Sequence, residues 1–248
     1  MKMARAILMK KGAREQFNDC AFNSSYEMNL TTLTALQTTL NCALSVFDVV
    51  TAVRLDFSIK MAPEDQCIGA CDSDIVDCFE EFTNRLYKSK RVEYFMNWKL
   101  EWSELKGYHI HTVFYFNHEL TKSFTLNSDA FRDFKSRWDK VTDENGNINI
   151  CQSGLADTED SYSVRGPEIH HYVLLTKNVD ALNDLSLSDS NVKFHQQKNK
   201  QQKKCGFFYW ISYLAKTDQK AMPFKKRFGS KSGFTLKEKI TAPNAVID

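Results

Sequence analysis

Proline and glycine are scarce, four and nine in 248 residues. That scarcity excludes a low-complexity or linker-like chain and, with 42% apolar residues, predicts a packed core. No apolar run is long enough to read as a signal peptide or a membrane span, so the expected compartment is the cytoplasm. A CxxC pair is also missing. The seven cysteines are odd in number and irregular in spacing, which excludes a secreted disulfide framework. Cys67, Cys71 and Cys78 lack zinc-knuckle spacing and an obvious fourth ligand, and read as reduced thiols. No internal repeat is visible, and net charge is only +2.

What is present is aromatic and locally polarised. Phe (18), Tyr (9) and Trp (4) fall largely in strand-like runs. Ala62 to Glu81 is acidic, whereas Lys193 to Lys239 is basic. A basic stretch suits a phosphate-rich partner and equally describes a solvated charged tail.

Periodicity predicts an α+β chain. Ser25 is placed to cap a helix to about Phe47, with Met28, Leu33, Leu36, Leu40 and Leu44 near helical spacing. Val49–Lys60 alternates and is rich in β-branched residues, a strand. Asp72 or Ser73 opens a helix to about Lys88, with Ile75, Phe79, Phe82 and Leu86 on one face. Arg91–Trp102 and Gly107–Phe116 read as two strands joined by a short connection, hence an antiparallel hairpin. Ser128–Val141 is a helix, Asp143–Asn147 a turn, and Glu168–Leu175 a further strand. Phe207–Thr217 reads as a short aromatic helix, and Phe224–Phe234 as a basic, glycine-punctuated loop. The expected architecture is an α+β domain, a central antiparallel sheet with helices on one face. The expected organisation is an N-terminal arm and helix over 1–45, then one domain over 46–240 with a polar insertion around 176–204.

His109-Ile110-His111 is the most informative motif. Strand residues two apart share a face, so the imidazoles project together about 7 Å apart along the strand and can converge on one metal ion. A carboxylate completes a three-ligand set that leaves positions open for substrate oxygens. Glu101 on the preceding strand is the first choice, and Asp56 on the first strand competes with it. His118 reads as surface. Adjacent His170 and His171 point to opposite faces and chelate poorly.

Tyr209, Tyr213 and Lys216 lie on the late helix at spacings that make neighbours. Part of that helix is an aromatic core stripe through Phe207, Phe208, Trp210 and Leu214. A lysine three positions after a tyrosine nevertheless has a chemical use. Its ammonium favours a phenolate and pairs with a phosphate oxygen. A metal pair and an activated tyrosine together describe metal-assisted covalent attack on a phosphodiester.

These residues resemble the HUH endonucleases, named for His-hydrophobic-His, and most of all the inovirus (filamentous-phage) gene II-type rolling-circle replication initiators. The matching pieces are VRLDFSIK, the Glu101-then-GYHIH hairpin, YLAK, and the terminal RFGSKSG. The resemblance implies a site-specific single-strand DNA nickase that stays attached through a 5′-phosphotyrosine and later rejoins the ends. It implies His109, His111 and Glu101 as ligands of Mg2+ or Mn2+, Tyr213 as nucleophile and Lys216 as its helper. It also implies single-stranded or hairpin DNA as partner, in the cytoplasm of a bacterial host. No helicase motif is present, so strand separation falls to a separate helicase. Some relatives carry two tyrosines four apart, each followed by lysine. Here Ser212 takes that place after Tyr209, which leaves Tyr209 a second nucleophile, a substrate contact or packing. Lys225, Lys226, Arg227 and Lys231 are the expected grip on backbone phosphates.

Overall fold

In a computed structural model the described residues are 8–9, 16–17, 20–22, 26–47, 49–60, 72–89, 92–103, 107–118, 128–151, 171–175, 200–217 and 228–233. Four two-residue strands come first: β1 (Leu8–Met9), β2 (Gln16–Phe17), β3 (Cys20–Ala21) and β4 (Met28–Asn29). Helix α1 (Leu30–Val46) leads into β5 (Val49–Ile59), and α2 (Asp72–Ser89) into the pair β6 (Tyr94–Ser103) and β7 (Gly107–Asn117). Then come α3 (Asp129–Val141), β8 (Gly146–Ile150), β9 (His171–Leu175), α4 (Lys200–Ile211), a 3₁₀ turn over Ser212–Ala215, and β10 (Phe228–Ser232).

The α+β reading holds, and every pairing in the six-stranded sheet is antiparallel. The order runs β10-β6-β7-β5, and the free side of β5 is shared, β9 along its first half and β8 along its second. Helices cover both faces rather than the expected one. Val50, Ala52, Val113 and Tyr115 pack with α1 and α4. Val53, Leu55, Phe57, Ile110 and Phe114 point the other way, against α2 and α3. The run Val113–Phe116 is wholly buried, and a strand apolar on both faces must be covered on both.

Local signals account for most element ends. Ser128 caps α3 by accepting from the Phe131 amide at 3.2 Å. For α1 the cap is Asn29, whose side chain accepts from the Thr32 amide at 3.0 Å, not Ser25. Met28 and Asn29 pair with Leu8 and Met9 as strand, so the helix starts later. Within the six-stranded sheet two strands were not expected. β8 follows directly on the Asp143–Asn147 turn signal. β10 occupies what reads as a loop, because Gly229 and Gly233 lie flat against the rings of Trp98 and Tyr94. A Cβ there would come within 2.5 Å of Trp98 Nε1 and 2.3 Å of Tyr94 Cε1.

A buried polar network locks α1 and β10 to the sheet centre. Asn97 donates to Thr39 Oγ1 at 2.9 Å and Ser230 Oγ at 2.8 Å, and accepts from the Tyr115 hydroxyl at 3.3 Å. The thiol expected at Cys78 is in no disulfide, and neither are those of Cys42 and Cys151, while Cys67 and Cys71 lie outside the described residues. Cys20, by contrast, is disulfide-bonded. Among the described residues no helix is long and apolar enough to cross a membrane.

Candidate metal and tyrosine site

Three neighbouring strands each carry a polar pair two residues apart, and pleating turns all three toward α1 and α4. They are Arg54 and Asp56 on β5, Lys99 and Glu101 on β6, and His109 and His111 on β7. The register aligns them in rows. Glu101 lies opposite His109, and His111 lies between Lys99 and Asp56.

The imidazole rings of His109 and His111 stand 4.8 Å apart, near perpendicular. His109 donates from Nδ1 to the Gly107 carbonyl at 3.0 Å, which leaves Nε2 free as a ligand atom. His111 donates from Nδ1 to Asp56 and turns Nε2 to Glu101 Oε2 at 3.1 Å. Ligand atoms of Glu101, His109 and His111 all lie within 4.8 Å of one another, so these three buried residues can hold a metal ion. The two carboxylates stand differently to the histidines. Glu101 faces both histidines, while Asp56 sits behind His111 and orients it. Asp56 also forms a second grouping, with His111 and Cys151.

The electrostatics suit metal binding. Burial would raise the Glu101 carboxyl, but the His111 bond and the charges of Lys99, His111 and Lys216 hold it well below the usual carboxylate range. Burial keeps the His109 imidazole below its ordinary value, so it is neutral and ligand-ready. Burial acts the same way on His111, but its bonds to Asp56 and Glu101 outweigh it and hold that imidazole above its ordinary value. An ion would replace the Nε2 proton of His111. Glu101 Oε1 is buried and ion-paired with Lys99 Nζ at 3.1 Å.

The tyrosine reaches this cluster through a change of helix type. α4 ends at Ile211, and Ser212 Oγ donates to the Tyr209 carbonyl at 2.6 Å as the chain tightens into the 3₁₀ turn. Residues three apart eclipse in that geometry. Lys216 therefore lies over Tyr213, its Nζ 3.7 Å from the ring centroid and hydrogen-bonded to the phenol oxygen. The same ammonium is 3.2 Å from Glu101 Oε2. The Tyr213 and His111 rings are 5.9 Å apart at 87°. Lys99 fastens the turn by donating to the Lys216 carbonyl at 2.6 Å. The N-terminal segment fastens it again, the Thr217 amide donating to the Glu27 carbonyl at 2.8 Å.

Tyr213, Lys216, Glu101, His109 and His111 are thus brought together. Tyr209 is not. It does not stack on Tyr213 along one helical face, because α4 gives way to the 3₁₀ turn between them. Among the described residues no hydrogen bond or ring contact joins its phenol to the cluster. Lys231 pairs with Met96 on β6 and donates to Thr83 Oγ1 of α2 at 2.7 Å, so it lies on the sheet face away from the histidines. Lys225, Lys226 and Arg227 lie outside the described residues. Sequence reasoning passed over Lys99, Arg54 and Tyr26, whose ring meets that of Tyr213 edge-on at 5.6 Å. The signal for the first two was present, since each stands two residues before a carboxylate in a strand.

Compared with known protein families, curated proteins and solved structures, the chain matches none.

Proposed function

We propose that this protein is a metal-dependent, site-specific single-strand DNA nickase and strand-rejoining enzyme with Tyr213 as its nucleophile. The observation that carries this reading is an unbroken polar chain. The Tyr213 phenol bonds Lys216, Lys216 pairs with Glu101, and Glu101 bonds His111. A structural aromatic has no need of a buried ammonium on its hydroxyl, nor of two histidines and a carboxylate beside it. The order of these pieces along the chain resembles the HUH endonucleases.

In the reaction the phenol proton leaves to water, and the Lys216 ammonium meets the charge developing on the oxygen. That oxygen bonds to phosphorus while the bond from phosphorus to the 3′ oxygen breaks. The leaving oxygen takes a proton and becomes a free 3′ hydroxyl, and the 5′ side remains on Tyr213. Attack by a 3′ hydroxyl on the phosphotyrosine reverses these steps and reseals the strand without ATP. Glu101, His109 and His111 would hold a Mg2+ or Mn2+ ion, which would supply charge to polarise the phosphate. In a replicating phage or mobile element such a cut opens an origin for rolling-circle synthesis.

The test is a labelled single-stranded oligonucleotide pool incubated with protein and manganese, then run on a denaturing gel. The expected product is a slow, protease-sensitive adduct that Tyr213→Phe abolishes while DNA binding persists. Binding without any adduct from the unsubstituted protein would instead make it a non-catalytic nucleic-acid-binding module.

A further inference from the structure

Among the described residues three Lys or Arg side chains face the cluster, and two are committed. Lys216 serves Tyr213 and Glu101, and Lys99 serves Glu101 and the Lys216 carbonyl. Arg54 is different. Its guanidinium lies 4.7 Å from the Tyr213 ring centroid and 5.8 Å from that of Trp210. A ring face attracts the cation without accepting an ordinary hydrogen bond from it. Among the described residues its side chain makes no hydrogen bond, and Nε is buried without a partner. Its charge is felt at Asp56, but no ion pair joins the two.

A buried donor without an acceptor is costly, and in a folded protein such a group is met by water or marks a site of strain, catalysis or ion binding. Arginine keeps its donors in a rigid fork even where it sits over an aromatic ring. That fork matches two oxygens of one phosphate. The phenol that would attack phosphorus belongs to the ring over which the Arg54 guanidinium lies.

We infer that Arg54 is a phosphodiester-binding residue, holding a backbone phosphate of single-stranded DNA beside the Tyr213 phenol. The inference rests on the nickase reading for the identity of the strand. The binding itself is measurable without any cleavage.

The experiment uses the full chain in EDTA with a fluorescent single-stranded oligonucleotide pool, and follows affinity by anisotropy across salt. Arg54→Gln is expected to weaken binding about tenfold, the size of one charge-assisted contact. It should also shorten the slope of log affinity against log salt by about 0.7, the signature of one lost phosphate. Arg54→Lys should recover the slope, since it keeps the charge, while forming the manganese-dependent adduct more slowly because the fork is gone. In the unsubstituted protein the Arg54 Nε–H resonance should shift on adding the pool, a readout independent of how the variants fold. An unchanged slope in Arg54→Gln, or an unmoved Nε–H signal, overturns the inference even if the parent forms its adduct. A lost phosphate contact in a protein that never forms an adduct would sustain Arg54 as a phosphate ligand and remove the nickase.

Discussion

His111 is held from both sides, by Asp56 at Nδ1 and Glu101 at Nε2. His109 has only the Gly107 carbonyl, and its second nitrogen faces the cluster. The two imidazoles therefore differ in what they lose on substitution. Removing His111 takes a hydrogen-bond partner from two buried carboxylates, whereas removing His109 takes away a candidate ligand and little else. His109→Ala is thus the cleaner probe of metal binding. An ion that binds only the folded chain stabilises it by about 2.7 kcal/mol at a hundredfold excess over its Kd. For a chain of this size that raises the melting temperature by about 5–10 °C. Manganese should produce this rise in the parent and not in His109→Ala. Equal rises in both would remove the ligand assignment. Tyr213→Phe, which keeps the ring and loses the hydroxyl, should melt in manganese like the parent, so its loss of adduct reads as chemistry.

At the scale of elements, the 3₁₀ turn and the edge strand β10 do the positioning. The turn carries Tyr213 and Lys216 as an eclipsed pair and is bracketed by Lys99 and Glu27. β10 closes the sheet beside β6, the strand that carries Glu101. Its glycine lies against Trp98, where a methyl group has no room. Gly229→Ala is expected to destabilise the protein by about 1–3 kcal/mol through overpacking. Denaturant unfolding measures this, and an unchanged midpoint would mean that β10 shifts freely over Trp98. The RFGSKSG segment thus has a structural role at Gly229 and Gly233, whatever its charges do.

For the whole molecule, the sheet separates two tasks. One face bears the polar pairs, α1 and α4. The other bears an aromatic core in which Phe57 meets Phe79, Phe82, Phe114 and Trp138 at centroid distances of 5.3, 5.1, 6.5 and 5.1 Å. Phe57→Ala is expected to cost about 3–5 kcal/mol, read by denaturant unfolding. Phe57 is the residue after Asp56 and points away from it, so the metal trio should survive in whatever fraction stays folded. Manganese-induced stabilisation of that fraction checks the separation. Its absence would show the two faces to be coupled.

Much of this was legible along the chain, because it depends on near neighbours. Helical spacing located α2, and the Ser128 cap located α3. Alternation put His109 and His111 on one face and Ile110 on the other, and the short connection after Ser103 made Glu101 their neighbour. Other outcomes depend on segments far apart. The pairing of Met28 with Met9 delayed α1 past Ser25. Contact of α4 and its 3₁₀ turn with the sheet separated Tyr209 from Tyr213. The register of β5 against β7 put Asp56 behind His111 rather than beside His109. The pairing of β10 with β6 sent Lys231 to the opposite face. The division follows from the range of the forces. Backbone period and capping act within a few residues, so they are written locally. Strand register and which helix covers which face are set by burial across the sheet, which exists only once the chain has closed on itself.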